Sequence, residues 1–256
     1  MSVGRRESAP ATDRAGSPAK PAAYRHIREN VTRLVLEHRT AVGRIVPACP
    51  AWTVRDLVAH LTDNCLRAVR RAKGQEPAVE PPPSVEHTDV GELLAYWEKR
   101  AAELDRIVAA GDAEMRDLLV ADAFTHEFDI RYALGAPLPA AHPAFPLVMA
   151  FGAEGITQAL VAHGLPAFRI EVDGGSWVAG TGAPRATVRG HPYDVLRSLS
   201  GRRTYAQVAE LSWSADPAPW LPALSWGPFT PPERPVERTA LEMAAAAARD
   251  VAAAGA

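Results

Sequence analysis

Cysteine is scarce: Cys49 and Cys65 are the only two in 256 residues, too few for the disulfide framework of a small secreted scaffold. A surplus of either charge is also missing. Twenty-eight Lys and Arg stand against 30 Asp and Glu, a formal net charge of −2, and no run of basic residues is interleaved with aromatics. That balance offers no broad attraction for phosphate backbones or anionic lipid, and excludes nucleic acid as an expected partner. Long hydrophobic runs are lacking too, because charges interrupt the long helical stretches well short of ~20 apolar residues, so no membrane span is expected. Between Met1 and Lys20, Arg5, Arg6 and Arg14 are not followed by the apolar stretch of a secretory leader. A cytoplasmic location is the resulting expectation.

What is present is an ordinary globular composition, 47% apolar and 23% charged, with enough aliphatic side chains for a core. The length favours two domains over one. Residues 1–20, rich in Ser, Pro, Ala, Gly and Arg without periodicity, read as a disordered tail. Ile27, Val31, Leu34, Val35 and Val42 recur at helical spacing and define a first helix over Ala23–Val42. Pro47 to Trp52 reads as a stiff connector. Thr53 and Asp56 then form a capping-box pattern opening a second helix that runs to Lys73. Pro77, Pro81, Pro82 and Pro83 make residues 75–88 a long loop. Further helices are expected over Val90–Ala110, Ala113–Leu134, stopped by Gly135 and Pro137, and Ala144–Gly164. With one apolar face each, these helices over residues 21–165 should pack as an up-and-down bundle.

After Pro166 the texture changes. Phe168–Val172, Ser176–Ala179 and Ala186–Arg189 are short alternating runs between Gly-rich turns, the pattern of antiparallel strands. Short helices at His191–Leu199 and Tyr205–Glu210 complete a small α+β unit over residues 166–235, which makes the whole chain α+β. Val236–Ala256, rich in Ala with little to bury, reads as a marginal helix or a tail.

One constellation carries chemistry. Asp122 and His126 are four apart on a helix, so their side chains leave one face a turn apart and can grip one ion. His60 shares the side of Leu57, Leu61 and Cys65 and should point into the bundle. Two imidazoles and a carboxylate supply three protein ligands and leave a coordination position free, the requirement of a catalytic metal site. The bland reading, hydrogen-bonded boundary histidines, stands beside it. Asn64 and Cys65, one turn beyond His60, should line the same cavity, with Cys65 either a fourth ligand or a packed core thiol. Asp129, three after His126, is placed to orient that imidazole or to serve at the surface. Trp52 reads as a packing anchor. His26, His38, His87, His142, His163 and His191 fall in tails, exposed faces or loops and receive no role.

The run from Cys49 to Leu61, CPAWTVRDLVAHL, resembles the start of the mycothiol-dependent maleylpyruvate isomerase family, a DinB-like group. A second stretch from Asp122 to Asp129, closing at Ala133-Leu134-Gly135, is similar to that family's acidic-xxx-His landmark. Ser200 to Arg203 and Trp213 to Pro217 resemble its C-terminal domain. The family usually carries Glu where this chain has Asp122. The resemblance implies a DinB-like metal-binding bundle with zinc, or another divalent ion, on His60, Asp122 and His126. It further implies mycothiol, a cysteine-containing sugar, as the thiol cosubstrate, activated as thiolate against a small electrophile by transfer or isomerisation. An arginine of the C-terminal domain is implied to reach the site, and Arg202, ahead of Arg203, is the candidate. Two other readings stay open: a thiol-independent metal lyase, isomerase or cyclase, and a non-catalytic metal-stabilised binding protein. A non-haem iron triad uses the same ligand types but usually sits on strands. A monomer or a homodimer is expected.

Overall fold

The computed structural model describes residues 19–75 and 89–254. The expected proline-rich loop and residues 1–18 of the expected tail lie outside them. Lys20 opens the first helix, α1 (Lys20–Glu37), three residues earlier than the apolar spacing suggested. This helix also ends sooner, because a 3₁₀ turn at Arg39–Ala41 follows and Val42 lies beyond it.

The expected connector is instead a two-stranded ribbon, β1 (Ile45–Val46) and β2 (Cys49–Thr53), paired antiparallel with Ile45 opposite Thr53. Pro50 is tolerated because a two-strand ribbon consists only of edges. The capping box forms as the spacing dictates. Thr53 Oγ1 accepts from the Asp56 N–H at 3.2 Å, and Asp56 Oδ2 accepts from the Thr53 N–H at 2.7 Å, opening α2 (Val54–Ala72). Then come α3 (Val90–Ala109), α4 (Asp117–Leu134) and α5 (Phe145–Ala162). Residues 113–116 do not join α4, whose N-cap is Arg116 without a side-chain cap. Gly135 ends it at φ 69°, a left-handed value that costs a residue lacking Cβ little.

Within the bundle α1 packs on α3 and α4, α2 on α3 and α4, and α5 on α4. Helix α4 is therefore enclosed on nearly all sides. From Val120 to Arg131 every residue is buried except Asp122. That single opening decides where the chain can do chemistry. Helix α5 carries one charge, Glu154, and is long and apolar enough for a membrane by length and composition, which the sequence reading did not anticipate. Here it serves as a packing helix. Phe145 meets Trp177 with ring centroids 6.1 Å apart, and Thr157 Oγ1 accepts from the Gly180 N–H at 2.8 Å. Trp226 lies so close over Gly155 that a Cβ there would fall 1.9 Å from the indole.

Beyond α5, β3 (Phe168–Val172) and β4 (Gly175–Ala179) form a hairpin, and β5 (Ala186–Arg189) and β6 (Ser212–Trp213) complete a sheet of order β4-β3-β5-β6. The sheet is mixed, which corrects the purely antiparallel expectation: β5 runs parallel to β3, with Phe168 opposite Ala186. The cause is local. Strand β4 ends beside Phe168, where β3 began, and residues 180–185 cross that end so that β5 starts level with β3. Helices α6 (Pro192–Leu199) and α7 (Tyr205–Ala209) follow, and the Ala-rich end forms α8 (Ala240–Ala254). Its lead-in is anchored, since Glu237 and Ala240 are buried. One continuous cluster of buried apolar residues runs from Ala23 to Leu224.

Candidate metal centre

Helices α2 and α4 bring His60, Asp122 and His126 together. Both imidazole Nε2 atoms stand 3.5 Å from the same Asp122 oxygen, Oδ1. The rings lie 5.0 Å apart and nearly perpendicular, at 85°. The three side chains keep 28%, 24% and 9% of their exposure, in that order, so solvent reaches the cluster from one side. The three donor atoms lie within 4.8 Å of one another. Asn64, one turn after His60, completes the group: its amide donates to Asp122 Oδ2 at 2.9 Å and lies 3.0 Å from His60 Nε2.

Behind this cluster stands a rigid charged support. Asp129 Oδ2 accepts from His126 Nδ1 at 2.8 Å, which fixes the ring and leaves Nε2 toward Asp122. Arg202 Nη2 donates to Asp129 Oδ2 at 2.9 Å, while Arg197 Nη2 pairs with Asp129 Oδ1 and Glu237 Oε1. Burial pulls the His126 proton affinity down, but the hydrogen bonds with Asp122 and Asp129 outweigh it and push the pKa up to about 9. Burial also penalises the Asp122 charge, yet both imidazoles hold its carboxyl well below the usual range. The charges of Arg197 and Arg202 do the same for the buried Asp129.

Cys49, His126 and Asp129 also lie within mutual reach of one ion. That set is the poorer host. Both Asp129 oxygens are already taken by guanidinium groups, and burial together with the Asp129 charge pushes the Cys49 thiol up to about 11. Asp122, by contrast, has no Lys or Arg partner among the described residues; its only counter-charge comes from imidazoles, whose protons a divalent ion can replace. The donor set of two nitrogens and one oxygen fits a divalent ion.

The centre floors a cavity of about 410 Å³ walled by Trp52, Arg202 and Phe229. A second cavity of about 470 Å³ shares Leu118, Asp122 and Pro228 with it and extends along Arg67, Arg71 and Met115. Two sequence expectations need correction. Cys65 is fully buried in the core, the packed position that was one of its two readings, away from the cavity that Asn64 lines. Five residues from His60 on a helix amount to a rotation of about 140° between side chains, against about 40° for Asn64. His142 sits in a loop, as expected, but it is not without a role: its side chain is sealed and lies 3.0 Å from Glu127 Oε2. Of the other histidines given no role, His191 caps α6 and His87 lies outside the described residues. Trp52 does more than pack, since its ring sits 4.8 Å from that of His60. Sequence reasoning missed Arg197 and Glu237. An arginine among Val195, Leu196 and Leu199 was a signal for the first; nothing marked the second.

Residues 23–136, the stretch that holds all three candidate ligands, match the DinB superfamily. That segment is a DinB-like domain. The chain shares its fold with the crystal structure of the mycothiol-dependent maleylpyruvate isomerase. The TM-score is 0.52 at 17% identity, over 77% of this chain and 92% of that one. A histidine-to-alanine mutant of that isomerase aligns with a TM-score of 0.51 at the same identity and coverage. No curated protein matches the sequence significantly.

Proposed function

We propose that the protein is a divalent-metal enzyme holding its ion through His60, Asp122 and His126 and joining a thiol of the mycothiol type to a small electrophile. The observation that carries this reading is the convergence of two imidazole nitrogens on one carboxylate oxygen at 3.5 Å, at the one position between Val120 and Arg131 that is not buried. Zinc is the ion the family resemblance favours, and when bound it supplies Lewis acidity that favours thiolate over thiol at neutral pH.

The residues of the chain do the rest. Asn64 holds the Asp122 carboxylate and Asp129 holds the His126 ring, which orients both ligands, while the Asn64 amide would have to release His60 Nε2, 3.0 Å away, for that nitrogen to ligate. Arg202 faces the cavity; its Nε and Nη2 are engaged by Asp129 and Nη1 by the Ser200 carbonyl at 2.8 Å. Its remaining N–H groups are free for an anionic or carbonyl oxygen of a reactant. The only thiol of the chain in the cavity, Cys49, is held protonated with a pKa of about 11, so an external thiol is the better nucleophile. The adjoining cavity beyond Asp122 gives a second reactant room beside the first. In a transfer the thiol would give up its proton, the sulfur would bond to carbon as a leaving group departs with its electron pair and that proton, or as a π bond opens and accepts the proton, and the conjugate would leave. In an isomerisation, addition would turn a double bond into a rotatable single bond, and expulsion of the same thiol would restore it.

Incubating the zinc-loaded protein with mycothiol and a panel of electrophiles, with mass spectrometry of the products, tests this. Enzyme-dependent conjugates or thiol-dependent isomerisation support it. Turnover that needs the metal but not the thiol would replace it with a lyase or cyclase.

A further inference from the structure

Glu237 lies in the segment leading into α8, more than a hundred residues after the histidine whose surroundings it reaches. Its side chain is fully buried. It accepts from Arg197 Nε at 3.0 Å, pairs with Arg197 Nη2, and accepts from Arg203 Nη1 at 2.8 Å. Arg197, so fixed, brackets one turn of α4. Its Nη1 donates to the Thr125 carbonyl at 3.0 Å, one residue before His126, and its Nη2 pairs with Asp129, three residues after. Asp129 in turn takes the His126 Nδ1 at 2.8 Å. The path from Glu237 to the candidate ligand is unbroken.

The charges reinforce the geometry. Asp129, Asp194 and Glu237 face Arg197, Arg202 and Arg203, and the six charges cancel within the cluster. Neutralising Glu237 leaves an uncompensated guanidinium charge beside His126. Arg197 then keeps at most one of its two bonds to position 237 and leans more heavily on Asp129, and the surplus positive field disfavours a cation at the centre. The anchoring of α8 has its own fixings. Asp194 accepts from the Ala240 N–H at 3.0 Å, and Glu242 caps Thr239 at 2.6 Å.

We infer that Glu237 is a positioning residue for the metal centre, holding His126 in its ligating orientation through Arg197 and Asp129. The inference rests on the ligand set proposed above. Its test uses the full chain and the variant Glu237→Gln, with Glu242→Gln as control. Two quantities are read: the His126 ring-nitrogen NMR signals of the metal-free protein, and Co²⁺ affinity by absorption titration. Expected are displaced His126 signals and Co²⁺ binding weaker by roughly 10–100-fold, neither of which Glu242→Gln produces. In combination with Asp129→Asn the loss should be less than the product of the two single losses, since both act on one path. Unchanged ring signals with wild-type Co²⁺ affinity in Glu237→Gln overturn the inference. Should the wild type take up no Co²⁺, the ligand assignment fails and the ring signals alone decide: displaced signals support the positioning role, unchanged ones remove it. If Glu237→Gln does not fold, Glu237→Asp, charged but one methylene too short to hold both guanidiniums, is read in the same way.

Discussion

Helix α4 carries two polar clusters of similar composition. One is His60, Asn64, Asp122 and His126; the other is Asn30, Glu127, Arg131 and His142. Each joins histidine, carboxylate and amide, yet only one is a candidate for chemistry. The second cluster is complete. Arg131 Nη2 answers the Glu127 charge at 2.7 Å, the Asn30 amide donates to it at 3.2 Å, and His142 Nδ1 accepts from the Ala144 N–H at 3.1 Å. That last bond leaves the proton on His142 Nε2, which donates to Glu127 at 3.0 Å. Every polar demand is met internally, and the cluster is sealed. The first lacks its Arg131. Two nitrogens converge on an oxygen with no Lys or Arg partner among the described residues, at the one half-buried position between Val120 and Arg131. A metal site is distinguished from a structural one less by residue type than by the absence of a permanent guanidinium such as Arg131, which leaves the carboxylate to imidazoles that can give up their protons.

The largest contrast should follow from Glu127→Gln. It leaves Arg131 buried without its counter-charge, at a cost of about 3–5 kcal/mol, so Tm falls by roughly 6–20 °C. Calorimetry reads this, while metal bound per folded chain should stay at the wild-type level. His60→Ala should do the reverse, weakening metal affinity by at least about 100-fold while the metal-free Tm falls by less than in Glu127→Gln, because the side chain is a quarter exposed and its loss leaves no buried guanidinium without a counter-charge. A matching stability loss in both variants would erase the distinction.

Acid sharpens the comparison further. Burial opposes the Glu127 charge, but the His142 hydrogen bond and the Arg131 charge prevail, so its folded pKa lies below its ordinary value of 4.5. A depressed carboxyl contributes stability above its unfolded pKa and loses it as the pH falls through the folded one. Stability measured by denaturant titration should therefore drop below pH 4.5 in the wild type, and less steeply in Glu127→Gln. The smallest effect concerns the thiols. With Cys49 and Cys65 both pushed up to about 11, only ~0.1% of either is thiolate at pH 8. Alkylation of the half-buried Cys49 should be slow there and rise with pH up to about 11, with Cys65 unreactive until unfolding.

Much of this was legible in the residues. The i, i+4 pair of Asp122 and His126, the Thr53–Asp56 capping box, the Gly135 stop and the bounds of β3 and β5 all follow from periods and caps that act over a few positions. Misreadings arose where distant partners decide. Strand direction in β5 depends on which edge of β3 remains free. Cys65 takes the packed core position, one of the two readings open to it, and not the cavity wall, because five helical residues turn it away from His60. The Asp129–Arg197–Glu237 path joins side chains separated by 68 and 40 positions, and no local pattern marks such a pairing. Arg202, reachable only through the family resemblance, does line the cavity.

Inductively coupled plasma mass spectrometry on the purified full chain and on its His60→Ala and His126→Ala variants, after equal exposure to zinc and gel filtration, reaches the central claim most directly. About one zinc per wild-type chain and almost none in either folded variant is the predicted result. A wild type that emerges without zinc, or variants that keep a full equivalent, would contradict it.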